Sequence, residues 1–89
     1  MKSAKYIIFD NNGLDLPVVF SPLVNHCDMA ALISKPVISA GLCRVITIPD
    51  KVFDTKPAWE CFGRSISLNK TARPIEDSEI LNNYLEYEL

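Results

Sequence analysis

His26 and Cys27 are the first neighbours in this chain whose types suit catalysis, because a reactive thiolate needs a base in reach and a third group to orient that base. Their spacing works against the chemistry. Successive residues on a helix project about 100° apart and do not face each other. Asp28 does not repair that geometry, so the pair reads as a capping histidine beside a buried thiol. A metal site fares no better. One histidine and the isolated Cys27, Cys43 and Cys61 make neither a Cys-x-x-Cys nor a His-x-x-x-His spacing. Glu76, Asp77 and Glu79 are explained by the positive end of a helix dipole, and Asp10 and Asp15 by a turn. Gly13, Gly41 and Gly63 lie too far apart to form a phosphate loop. The expectation is a protein with no catalytic residue, no metal and no cofactor.

One segment carries a different chemistry. Between Phe62 and Arg73 the chain gathers Arg64, Ser65, Ser67, Lys70 and Arg73, whose guanidinium forks, ammonium and hydroxyls suit phosphate oxygens. These five are the candidate ligand-binding residues, for a small phosphorylated or otherwise anionic ligand. The competing reading is a polar outer face in which Arg73 or Lys70 pairs with the acids that follow. Tyr6, Phe9, Trp59 and Phe62 could stack nucleobases, but with so few bases nearby they read as core or interface. Tyr84 and Tyr87 on an acidic C-terminal helix mark a possible protein-partner surface.

The elements that must position these residues follow from hydrophobic pattern and breakers. Lys5 to Phe9 reads as a strand, Asp10-Asn11-Asn12-Gly13 as a turn, and Leu16 to Phe20 as a second strand, with Pro17 placing it at a sheet edge or marking its start. The two form a hairpin with a longer loop. Ser21-Pro22 breaks the strand, and Asn25 or His26 caps a short helix over 27–33. Val37 to Ile48 is the most strand-like stretch, with a bulge or bend at Gly41 and an end at Pro49-Asp50. A connection over 51–57 leads to a fourth strand over 58–68, bent at Gly63, and then to a polar loop over 69–73. Pro74 opens a last helix with an apolar stripe of Ile80, Leu81, Tyr84 and Leu85. The order β-β-α-β-β-α predicts an α+β fold, an antiparallel sheet of about four strands with both helices on one face.

The 89 residues suffice for one domain, 1–89, and are too few for two. A net charge of −2 argues against a broadly basic nucleic-acid surface, so nucleic acid is not an expected partner. The charge is uneven. Five acids and no base fall in the last fourteen residues, whereas residues 1–74 hold nine bases and six acids, a net of +3. An odd, dispersed set of three cysteines suggests reduced thiols and hence a cytoplasmic setting. No apolar run reaches the roughly 20 residues that span a bilayer, and the apolar stretch before Asp10 is too short for a signal-peptide core. A small domain with a modest core often gains stability by association, so a homo-oligomer is expected.

Read in order, Lys5-Tyr6-Ile7-Ile8-Phe9, Pro17-Val18-Val19-Phe20, Ser39-Ala40-Gly41, Cys61-Phe62-Gly63-Arg64-Ser65 and Arg73-Pro74-Ile75-Glu76-Asp77-Ser78-Glu79 resemble small uncharacterised phage and prophage proteins. The resemblance spans most of the chain and implies a phage accessory role; it brings no activity and no functional residues. Together these observations point to a non-enzymatic binding or interaction protein. The alternative is an anion or nucleotide binder built on the segment from Arg64 to Arg73.

Overall fold

Asn12 and Gly13 carry the positive φ values, 56° and 88°, that a two-residue hairpin turn requires. The turn joins β1 (Ala4–Asn11) to β2 (Leu14–Phe20), and the Gly13 amide donates to Asp10 Oδ1 at 2.8 Å. It is tighter than the longer loop expected, because Leu14 and Asp15 already pair with Asn11 and Asp10. In this computed structural model, which describes residues 3–85, α1 (His26–Leu32) follows, with Asn25 at its N-cap. Asn25 makes no side-chain capping bond, and His26 is the first helical residue rather than the cap.

β3 (Val37–Lys51) and β4 (Asp54–Phe62) complete a four-stranded antiparallel sheet in the order β2-β1-β3-β4. The α+β expectation therefore describes the fold. β2 is an edge strand, the first of the two readings of Pro17, and it starts earlier, at Leu14. β3 ends later than expected and β4 begins earlier, and the two form an arm whose residues 49–57 are all exposed. Pro49 and Pro57 sit inside these strands, opposite Thr55 and Thr47. The reason is which way the backbone faces. The Trp59 and Cys61 amides point away from β3, to Asn82 Oδ1 at 2.7 Å and Ser78 Oγ at 2.9 Å. The period of two puts Pro57 in the same outward set, and its partner positions put Pro49 in the corresponding set of β3. Neither proline removes a bond between the two strands.

The irregularity expected at Gly41 falls elsewhere: β1 and β3 slip register between Ile8 and Phe9, which pair with Ser39 and Val37. Gly41 is required for a different reason. A Cβ there would lie 2.5 Å from the Phe62 carbonyl oxygen and 3.1 Å from Ala72 Cβ. Gly63, at φ 75°, does bend the chain and ends β4. The rest of the expected fourth strand becomes a small separate hairpin of β5 (Arg64–Ser65) and β6 (Lys70–Thr71). The last helix, α2 (Pro74–Tyr84), begins at the predicted proline. Glu86, Tyr87 and Glu88, part of the expected acidic end, lie outside the described residues.

The two helices lie on opposite faces of the sheet, not on one. Tyr6, Ile8, Cys43 and Cys61 pack with Leu81, Ile80 and Leu85 of the α2 side. Ile7, Phe9, Phe20 and Ala40 pack with Met29, Ala30 and Ile33 of the α1 side. Successive strand residues point to opposite faces, and Tyr6, Ile7, Ile8 and Phe9 are all fully buried. The central strand is thus covered on both sides. Among the described residues no helix is long and apolar enough to cross a membrane.

Candidate functional site

Arg64, Ser65, Ser67 and Lys70 are brought together by the β5–β6 hairpin, which turns at Asn69 with φ 53°. Ser65 is buried and shapes the turn, its Oγ accepting from the Leu68 amide at 3.3 Å. The hairpin overhangs the α1 face of the sheet and forms two adjoining hollows. One, of about 390 Å³, is walled by Arg64, Ser65 and Ser67 together with Lys5, Asn25 and His26, with Leu42 and Ile66 as its apolar parts. The other, of about 230 Å³, lies between Arg64, Asn69, Lys70 and Thr71. Arg64, Ser65 and Ile66 belong to both.

Among the described residues no carboxylate lines either hollow, whereas Lys5, Arg64 and Lys70 place three cations around them. Lys5 spends one of its three hydrogens on the Val24 carbonyl at 2.9 Å. Arg64 and Lys70 make no ion pair among the described residues. His26 forms the floor. Its Nε2 lies 2.9 Å from the Gly41 carbonyl oxygen, which can only accept, so Nε2 carries the hydrogen. The ring meets Phe20 edge-on at 5.5 Å. Burial, with the Lys5 charge adding to it, pulls the His26 pKa below its ordinary value against an opposing bond to Gly41.

Arg73 does not join this group. Its Nη2 and Nε donate to Asp77 Oδ1 at 2.9 and 3.1 Å, its amide donates to Asp77 Oδ2 at 2.9 Å, and its Nη1 meets Glu76 at 3.2 Å. Asp77 is fully buried and also accepts from the Tyr6 hydroxyl at 2.5 Å. Burial first, then the bond to Asp77, pushes the Tyr6 hydroxyl well above the usual range. This network fastens α2 to the central strand, as the pairing reading of Arg73 anticipated.

Lys5, Asn25 and His26 were not among the residues singled out for binding. Lys5 carried a signal. It shares its strand face with the buried Ile7 and Phe9, and a lysine on an inward face needs a polar neighbour. Asn25 and His26 carried none, since only the tertiary packing of α1 brings them under the hairpin.

The thiols separate into two kinds. Cys27 is exposed on α1, its Sγ 3.9 Å from Asp28 Oδ1, while the adjacent His26 ring turns into the sheet. Cys43 and Cys61 are buried and face each other across β3 and β4. Burial pushes both thiols up to about 12, with their mutual influence adding for Cys43 and a bond to Ser78 opposing for Cys61. Comparison with known proteins finds no matching family model, no matching curated protein and no matching solved structure.

Proposed function

We propose that this protein is a non-enzymatic binding protein whose ligand is a small anion of the phosphate class, held beneath the β5–β6 hairpin. One observation carries the reading: Lys5, Arg64 and Lys70 surround paired hollows that no carboxylate lines among the described residues. Arg64 sits where the hollows join and makes no ion pair among the described residues, so its fork is available for bidentate contact with an oxyanion. Ser67, Asn25 and Thr71 supply neutral donors around it. The leucine and isoleucine walls suit a ligand with an apolar part, such as a nucleoside phosphate. Calorimetric titration with inorganic phosphate and a nucleoside monophosphate tests the reading. Saturable binding weakened about tenfold by Arg64→Ala supports it, that factor matching the loss of one charge-assisted hydrogen bond. Arg73→Ala should leave the affinity unchanged. No binding of either probe, or binding indifferent to Arg64→Ala, overturns it.

A second reading is favoured by the arm. Val52 and Phe53 at its tip are 89% and 98% exposed, more than an isolated surface residue needs. They make the arm suited to hold a second copy of the chain. Light scattering that gives a dimer for the native chain and a monomer for Phe53→Ser supports this, and a monomeric native chain rejects it.

A further inference from the structure

Cys43 and Cys61 are direct partners in the β3–β4 register, on the face covered by α2. The Cys61 amide donates to Ser78 Oγ at 2.9 Å, so it points away from β3. The Trp59 amide, two residues earlier, also turns outward to α2. An antiparallel pair whose amides face outward is the narrow type, with Cα atoms about 4.5 Å apart and side chains closer than in the bonded type. A disulfide accepts Cα separations of about 4.4–6.8 Å. The two thiols are 0% and 1% exposed, and both are free. Cys27 sits on α1, across the sheet from them.

We propose that Cys43 and Cys61 form a disulfide site that closes the root of the arm when the chain meets a low-molecular-weight disulfide such as oxidised glutathione. One cysteine thiolate attacks a sulfur of the oxidant and releases one glutathione thiolate, leaving a mixed disulfide. The second cysteine thiolate then attacks the protein sulfur of that mixed disulfide and releases the other glutathione. Two electrons pass from the cysteines to the oxidant, and the two cysteine protons end on the released thiols. The bridge encloses residues 44–60, the whole of the arm. Exchange needs access to buried sulfur, so it occurs during folding or when α2 lifts from β4. The site is independent of the anion-binding hollows, because it lies on the other face of the sheet.

The test refolds the native chain and Cys27→Ser from urea into a mixture of reduced and oxidised glutathione. Intact mass, peptide mapping and thermal melting are then compared with the fully reduced forms. Both proteins should lose two hydrogens, both maps should join Cys43 to Cys61, and Cys27 should stay free in the native chain. The bridged form should melt higher, by on the order of 10 °C, since the closed loop restricts the unfolded chain. Reductant should reverse the shift. Three results each overturn the proposal: persistence of both free thiols in a strongly oxidising mixture, a bridge or mixed product through Cys27 as the main species, or a Cys43–Cys61 bridge that lowers the melting temperature.

Discussion

Tyr6, Asp77 and Arg73 offer the sharpest test of what holds α2 on the sheet. Tyr6→Phe removes one donor and leaves Asp77 with its three bonds from Arg73. A hydrogen bond to a charged group contributes about 1.5–3 kcal/mol, so that is the expected loss. Asp77→Ala is worse, because it strips the acceptor from the buried phenol, the Arg73 amide and the guanidinium at once. Removing one member of a buried charged network costs about 3–5 kcal/mol. A domain has only about 5–15 kcal/mol of total stability, so Asp77→Ala removes a large share. The double variant should lose less than the sum of the singles, by a coupling of about 0.5–3 kcal/mol. Urea denaturation at pH 7 followed by circular dichroism measures all three. The reasoning fails if Asp77→Ala costs no more than Tyr6→Phe, or if the two losses simply add.

Three further outcomes follow from the same geometry. Cys43 and Cys61 have folded pKa values raised from 9.0 to about 12, so their contribution is complete below pH 9 and is lost as pH rises towards 12. Each thiol then steepens the decline by up to about 1.4 kcal/mol per pH unit, and urea midpoints of the reduced Cys43→Ala/Cys61→Ala variant should show a shallower alkaline slope. Gly41→Ala should destabilise by about 1–3 kcal/mol or more, because the new methyl meets the Phe62 carbonyl rather than a movable side chain; a midpoint equal to that of the native chain contradicts it. Asn82 both accepts from the Trp59 amide and donates to the Trp59 carbonyl at 3.3 Å, covering the edge of β4. Asn82→Ala should lower stability by about 1–3 kcal/mol and increase aggregation seen by light scattering, whereas an unchanged, monodisperse variant would show that this cover is dispensable.

Much of the fold follows from local chemistry. Asn12-Gly13 tolerates positive φ, Pro17 has no amide hydrogen to give a central strand, Pro74 suits a first helical turn, and Gly63 bends the chain. Each is a property of one or two residues, so order and element type can be read directly. The uninterrupted run Tyr6-Ile7-Ile8-Phe9 also held the sign of a strand buried on both faces, which the expectation of helices on one face passed over. The prolines at 49 and 57 were different. Whether a missing amide hydrogen harms a strand depends on which side that amide faces, and only strand pairing decides this.

The candidate site divides in the same way. Arg64, Ser65, Ser67 and Lys70 were visible as a group because one short hairpin holds them. Arg73 lies next to them in sequence, yet it is drawn off by Asp77, whose burial against Tyr6 arises only when α2 docks on the sheet. Lys5 joins Arg64 from far along the chain, and Cys43 meets Cys61 across a hairpin whose register sets which residues face each other. Residue types alone named the side chains suited to an anion, and they read the three cysteines as reduced thiols with no sign of which two would face each other. Tertiary structure decided which of them meet, because docking and register bring distant residues together and composition carries no record of either.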